Sequence, residues 1–362
     1  MDNKSLNKSK VLILTYYPIG NEKGGGISIA MDNLQINLQD HLELSNYYFI
    51  KDSFFDSLNY IFKLFKLIVK CKFDYIYING LFSFHTSILP ITLFFFSKAK
   101  LVISIRGMLK PSALKKNIFK LIIIKLESIL LKKNTVIHVT DQVELLESKF
   151  YFNLSHIVIL DFPPAQNKYL SNKKKIQNSL SIVYLGRIDD IKNLLQLLQI
   201  LKKHFYDKNY YGIKLNIIGH VNNQFYWDKC CKIISQISDE EKLKINYFGF
   251  LRKDKIKKIF QDSHILISLT KGENFGYTIF EALSFGLPVV ISNNTPFDNF
   301  EEKGIGYIID LSNEDKIINS IRSYYYLSNN DFRKLSNKVY EGYNNIIDID
   351  DLKIKYFQLF KI

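Results

Sequence analysis

Short runs of β-branched and aromatic residues recur along the chain, separated by stretches with helical spacing. They read VLILTYY, YYFI, FDYIYIN, LVISI and TVIHV, then after a break SIVYLG, KLNIIG, KINYFG, HILISL and PVVIS. Strands alternating with helices predict parallel sheets joined by crossover helices. Several of the runs are apolar throughout, as strands covered on both faces are. The break falls in DFPPAQNKYLSNKKKIQNS, 161–179, where two prolines, polar residues and a lysine run interrupt the periodicity. The expected fold is α/β, with two Rossmann-like domains over 1–165 and 166–345 and a C-terminal helix over 346–362 packing back on the first domain. Ligands of open parallel sheets bind beyond the carboxyl ends of the strands, so a central cleft between facing halves is the expected site.

Composition narrows the classes. The 362 residues are 47% apolar and 23% charged, which excludes disorder and small disulfide scaffolds. Cys71, Cys230 and Cys231 have no CxxC spacing, and the adjacent pair is unsuited to bonding with itself, so neither a zinc site nor a disulfide framework is expected. A reduced, cytoplasmic chain follows as the expectation. The basic start precedes an apolar run broken by Pro18 and Gly20, which suits a first strand better than a signal peptide. The longest apolar stretch, SILPITLFFFS at 87–97, falls far short of the roughly 20 residues of a membrane span. The formal charge is +14, which favours anionic partners. Nucleic acid is not expected, because no recognised binding motif is present.

Three segments carry chemistry. In HILISLTKGENFGYTIFEALSFGLPVVIS, 264–292, a strand leads through the loop TKGEN into a helix from about Phe275 to Phe285, capped by Gly286. The amides of Phe275 and Gly276 open that helix, and a helix N-terminus favours an anion such as phosphate. Glu273 and Glu281 are eight positions apart, which on helical geometry is about 12 Å of rise and an offset of roughly 80°. They cannot flank one glycosidic bond, which requires carboxylates within roughly 5–9.5 Å. They suit separate hydroxyl-bearing parts of one elongated ligand.

In SIVYLGRIDDIKNLLQLLQIL, 181–201, a buried strand ends at Gly186 and Arg187, and a helix is expected from Asp190 or Lys192. Arg187 and Lys192 then form a cationic clamp suited to a diphosphate, stabilising the charge that develops on a leaving group. A turn with two exposed basic residues is the rival reading. In YYPIGNEKGGGISIA, 16–30, Gly24, Gly25 and Gly26 follow the first strand, so backbone can approach phosphate closely. A GxGxxG dinucleotide fingerprint fails because Ile29 stands where its last glycine is needed.

GRIDDIKNL, ENFGYTIFEALSFGLPVV and TPFDNFEEKGIGYII resemble the signature blocks of the retaining family-4 glycosyltransferases (glycosyl transferases group 1), which have the GT-B fold. The resemblance covers almost all of the second half, but in the first half only the glycine loop and the region around 103–149. It implies that Arg187 and Lys192 bind the diphosphate of a nucleotide-sugar donor. Glu273 would contact the transferred sugar, with Asn274, Phe275 and Gly276 beside it, and Glu281 would hold the ribose. Gly249 and Phe250 in INYFGFL would border the base, and Gly25 and Gly26 would meet the diphosphate or sugar from the first domain. The family needs no divalent metal, which agrees with the lack of a suitable Asp-x-Asp cluster. Asp189–Asp190 and the 348–350 run are read as a helix cap and a surface run. At the end of ISIRG, Arg106 and Gly107 replace the His-Asp pair of many relatives. Arg106 joins the catalytic candidates, with phosphate, an acidic acceptor and a neighbouring carboxylate open as its contact. Leu269 stands where relatives often have proline.

The resemblance implies retaining transfer of a sugar to a hydroxyl of a glycan or lipid-linked glycan, as in assembly of bacterial capsule or lipopolysaccharide. The alternatives are a non-catalytic sugar-nucleotide-binding subunit at the membrane, or an epimerase or phosphorylase with a similar cleft. In YIFKLFKLIVKCKF, 60–73, and NIFKLIIIKLESILLKK, 117–133, apolar residues and lysines recur at helical spacing. Residues 98–133 carry ten Lys or Arg and one acid, Glu127. Such helices either lie peripherally on an anionic inner leaflet or serve as crossover helices with solvated lysines.

Overall fold

The computed structural model describes residues 8–16, 18, 25–49, 54–70, 72–110, 114, 118–131, 134–167 and 174–361, without the side chains of 54–58. Gly24, Cys71 and residues 168–173 of the expected linker lie outside the described residues. The chain divides into two compact units, Met1–Pro163 with Asp348–Ile362, and Pro164–Ile347.

The first unit is built from β1 (Ser9–Thr15), α1 (Gly25–Leu38), β2 (Leu42–Tyr48), α2 (Phe54–Phe65), β3 (Tyr75–Asn79), α3 (Leu89–Phe94), β4 (Lys100–Ser104), α4 (Ile118–Leu130), β5 (Thr135–Val139), α5 (Gln142–Tyr151) and β6 (Ser155–Val158). Its six strands are parallel in the order β2-β1-β3-β4-β5-β6. Every residue of β3 is buried, which explains why YIYIN does not alternate. Because parallel crossovers are right-handed, the steps from β2 through to β6 put α2, α3, α4 and α5 on one face of the sheet and α1 on the other. Within that layer α4 packs on both α3 and α5.

The second unit contains β7 (Leu180–Leu185), α6 (Leu194–Leu201), β8 (Ile213–Ile218), α7 (Gln224–Ile234), β9 (Leu243–Tyr247), α8 (Lys253–Asp262), β10 (Ile265–Ser268), α9 (Tyr277–Ser284), β11 (Val289–Ser292), α10 (Phe300–Lys303), β12 (Gly306–Ile309), α11 (Glu314–Tyr326) and α12 (Asn329–Gly342). Its strands are parallel in the order β12-β11-β10-β7-β8-β9. One apolar core runs through it from Leu180 to Tyr325.

The last helix, α13 (Ile349–Phe360), belongs to the first unit and starts at Asp348, whose carboxylate accepts from the amides of Asp350 and Asp351. Tyr356 is fully buried there, stacked on Phe162 with ring centroids 4.9 Å apart and donating to the Leu160 carbonyl at 3.3 Å.

Two expectations shift. The strand expected at YYFI lies earlier in the chain: β2 begins at Leu42 and ends at Tyr48, so Tyr47 and Tyr48 are the part of that run within it. The helix expected from Phe275 starts at Tyr277. Helical rise and offset therefore do not apply between Glu273 and Glu281, because Glu273 lies in the loop before the helix.

Candidate active site

β7 ends and the chain turns through Gly186 and Arg187 before reaching Asn193, the left-handed cap residue of α6. Glycine is required opposite this turn. At Gly219, where φ is +149°, a Cβ would lie 1.8 Å from the Gly186 carbonyl oxygen. Tyr184 donates its hydroxyl to the Arg187 carbonyl at 3.0 Å, fixing the turn. Asp189 is 7% exposed and accepts from the Lys192 amide at 3.0 Å. Its other oxygen lies 3.6 Å from Arg187 Nε. One buried carboxylate thus orders both basic residues.

The second strand-to-helix loop meets the first. Ile191 O accepts from the Lys271 amide at 2.7 Å and from the Thr270 hydroxyl at 3.1 Å. Lys271 Nζ reaches Asp190 at 2.9 Å. The Glu273 amide donates to Asn294 O at 3.0 Å, and Lys192 Nζ stands 2.6 Å from Glu273 Oε2. The other Glu273 oxygen accepts from the Asn274 amide at 3.1 Å. The Lys192 and Glu273 side chains are 19% and 21% exposed, so a ligand can reach both. Phe275 is buried and stacked on Phe280 at 4.9 Å, anchoring the loop. Gly276 caps α9 with φ +84°, and a Cβ there would meet the Phe297 ring at 2.7 Å.

Arg187, Lys192, Glu273, Asn274, Phe275 and Gly276 therefore fall on two interlocked loops at the carboxyl ends of β7 and β10. Glu281 stands apart on α9, with Lys253 and Lys257 of α8 as its charged neighbours. Burial pushes its carboxyl up to about 7, and the two lysines oppose that rise. Gly249 lies beyond β9, its carbonyl accepting from the Gly219 amide at 2.8 Å, and Phe250 is 49% exposed. Gly25 and Gly26 begin α1 in the first unit and are exposed.

Arg106 requires correction. Of its three possible contacts, the structure has the neighbouring carboxylate. Its guanidinium pairs with Asp161, both side chains being about 5% exposed, and Nε donates to Asn79 Oδ1 at 3.4 Å. A guanidinium so enclosed does not reach a substrate, so the catalytic role becomes a structural one. Beside it, buried His138 bonds the Tyr77 hydroxyl at 2.6 Å and the Ile159 carbonyl at 2.8 Å. Burial, then the Arg106 charge, hold the imidazole down to about 4, with Asp161 opposing. The Gly107 amide donates to the buried carboxylate of Glu144.

Sequence reasoning passed over Asp161, which sits among linker-like residues without a motif, and treated Asp189 as a cap alone. It also gave no sign of a cavity of about 220 Å³ in the first unit, lined by residues that include Thr15, Ser28, Asn79, Thr86 and Met108. Among the described residues no cluster of three or more His, Cys, Asp or Glu is placed to hold a metal ion. No helix among them is long and apolar enough to cross a membrane.

With this geometry in hand, residues 166–341 match the family model described as glycosyl transferases group 1. The second unit is a glycosyl transferases group 1 domain. The matched span takes in both interlocked loops. Two curated relatives are similar. An uncharacterized 41.2 kDa protein in the cps region of Klebsiella pneumoniae is 23% identical over 155 residues, covering 42% of this chain and 39% of that protein. Alpha-monoglucosyldiacylglycerol synthase of Acholeplasma laidlawii is 25% identical over 168 residues, 46% of this chain and 40% of the synthase. The chain's match thus spans about two fifths of each curated relative's length. Among solved structures, Anabaena HepE in complex with UDP and glucose superposes with a TM-score of 0.70 at 13% identity, covering 98% of this chain and 99% of HepE. Sucrose-phosphate synthase from Thermosynechococcus elongatus gives 0.69 at 13% identity, with 98% of each chain covered. These likenesses establish the fold, GT-B, with the group 1 domain as its second unit.

Proposed function

We propose that the chain is a retaining glycosyltransferase that moves a sugar from a nucleotide-sugar donor to a hydroxyl of a glycan or lipid-linked glycan in bacterial surface polysaccharide assembly, at the cytoplasmic face. The observation that carries the reading is the 2.6 Å approach of Lys192 to Glu273, with Arg187 ordered by the same buried Asp189. Cation and acid so close suit two adjoining parts of one ligand, a phosphate and a sugar. The HepE structures, which hold UDP and glucose or UDP-glucose, support a nucleotide-sugar donor, and the cps-region relative supports the polysaccharide setting.

In this reading the bond from the anomeric carbon to the phosphate oxygen breaks and the diphosphate leaves with the electron pair. Arg187 and Lys192 stabilise its growing charge in place of a metal. The acceptor hydroxyl attacks from the face the diphosphate left, and a leaving-group oxygen takes its proton. Glu273 positions the sugar, Glu281 accepts from the ribose hydroxyls, and Gly249 and Phe250 border the base. Asn274 and the amides of Phe275 and Gly276 line the phosphate end. Incubation of the full chain with nucleotide sugars and lipid-linked glycans tests this. Expected is a product of unchanged anomeric configuration, formed equally in the presence of EDTA. An inverted product, or activity lost to EDTA and restored by magnesium, would contradict it.

A further inference from the structure

An ordinary surface helix turns its apolar stripe inward and its charges outward. On α4 the arrangement is partly reversed. Glu127, the one acid between 98 and 133, is fully buried beside Ile124, which is 2% exposed. Ile118, Ile122, Leu126 and Ile129 stand outward, 69%, 50%, 51% and 71% exposed. The helix packed beside it, α5, also exposes apolar side chains, Leu146 and Phe150 being 71% and 82% exposed. Single exposed apolar residues are ordinary, but a run of them along two packed helices marks an interaction surface.

The charge of this region names the occupant. With Glu127 turned inward, the charge that α4 itself shows is positive, from half-buried Lys120 and from Lys125, which lies on the outer side of the helix among the isoleucines. Lys115, Lys116, Lys132 and Lys133 flank the helix in the sequence. Two copies of the chain facing each other here would bring like charges together. Anionic lipid headgroups complement the lysines, while the outward isoleucines enter the acyl boundary. Thirteen residues span about 20 Å, too short to cross a bilayer, so the helix would lie in the plane of the surface.

We infer that the outer face of α4 and α5 docks the first unit onto an anionic membrane surface, with the isoleucines of α4 as the inserted residues. This does not depend on the donor chemistry proposed above. Co-sedimentation of the full chain with phosphatidylcholine vesicles, with and without phosphatidylglycerol, tests it. Binding is expected only to the anionic vesicles and is expected to weaken as salt rises. The triple variant Ile118→Ser, Ile122→Ser, Ile129→Ser should lower the partition coefficient at least about tenfold, while its melting temperature and nucleotide-sugar binding stay at the wild-type level. Failure to pellet with anionic vesicles at low salt, or equal pelleting of the triple variant, would overturn the proposal. So would a dimer that the triple variant dissociates, since a second copy would then cover the face.

Discussion

At the scale of single residues, two ion pairs separate ligand handling from folding. Lys192–Glu273 is about one-fifth exposed on each side, and such a pair contributes at most about 1 kcal/mol to stability. Lys192→Ala and Glu273→Ala are expected to melt within a few degrees of wild type, yet to lower kcat/KM at least about 10²-fold if each side chain supplies roughly 3 kcal/mol at the transition state. Near-normal turnover in either variant would remove its assigned role. Arg106–Asp161 is the opposite case. Arg106→Ala leaves a buried carboxylate uncompensated and should cost about 3–5 kcal/mol in chemical denaturation, with nucleotide-sugar binding by the second unit unchanged in protein that folds. Glu281 adds a pH dependence. Its carboxyl titrates at about 7, and only the ionised form accepts from two hydroxyls without donating, so donor KM should rise as pH falls from 8 to 6. Glu281→Gln should flatten that profile, and an unchanged profile would contradict the ribose role.

Lys192, Glu273 and Arg187 were legible in the sequence because chemistry at a strand-to-helix loop demands particular residue types at short range. Arg106 was not, because its contact is chosen by Asp161, 55 positions away and in a stretch without periodicity. Nothing local in ISIRG distinguishes a guanidinium aimed at substrate from one buried on a carboxylate.

At the scale of elements, α4 makes its own prediction. Burial pushes the Glu127 carboxyl up to about 7, against a small opposing effect of Ser87. That hydroxyl already donates to the Ser83 carbonyl at 2.7 Å. The folded chain therefore keeps a proton that the unfolded chain releases. The associated stability is complete below the ordinary carboxyl range near 4.5 and is lost as pH rises through 7. Glu127→Gln should melt above wild type at pH 8, by up to about 3 kcal/mol in unfolding free energy, and the gap should close toward pH 5. A constant gap across that range would show that the carboxyl titrates normally. The two strands missing from the sequence reading, β6 and β12, are short edge strands of four residues. Short edges carry a weak β signal, whereas the buried runs of β3, β4, β7 and β8 read clearly. α9 begins late because Phe275 stacks on Phe280 and Gly276 takes a left-handed turn, tertiary facts that a helical pattern does not encode.

At the scale of the whole molecule, two parallel six-stranded sheets and the break between them follow from the alternation of strands and helices. The group 1 domain accounts for the second unit. The first unit is less legible, since its cavity and the outward face of α4 depend on which side of each helix the sheet covers. The central claim is that a nucleoside diphosphate sugar binds through Arg187 and Lys192 while Glu273 holds its sugar. Saturation-transfer NMR of the full chain against a panel of nucleotide sugars tests it most directly, with Lys192→Ala and Glu273→Ala measured beside the wild type. The account predicts saturation of both sugar and nucleoside protons in the wild type, loss of the whole signal in Lys192→Ala, and selective loss of the sugar signal in Glu273→Ala. Wild-type spectra in both variants, or no signal from any nucleotide sugar, would contradict it.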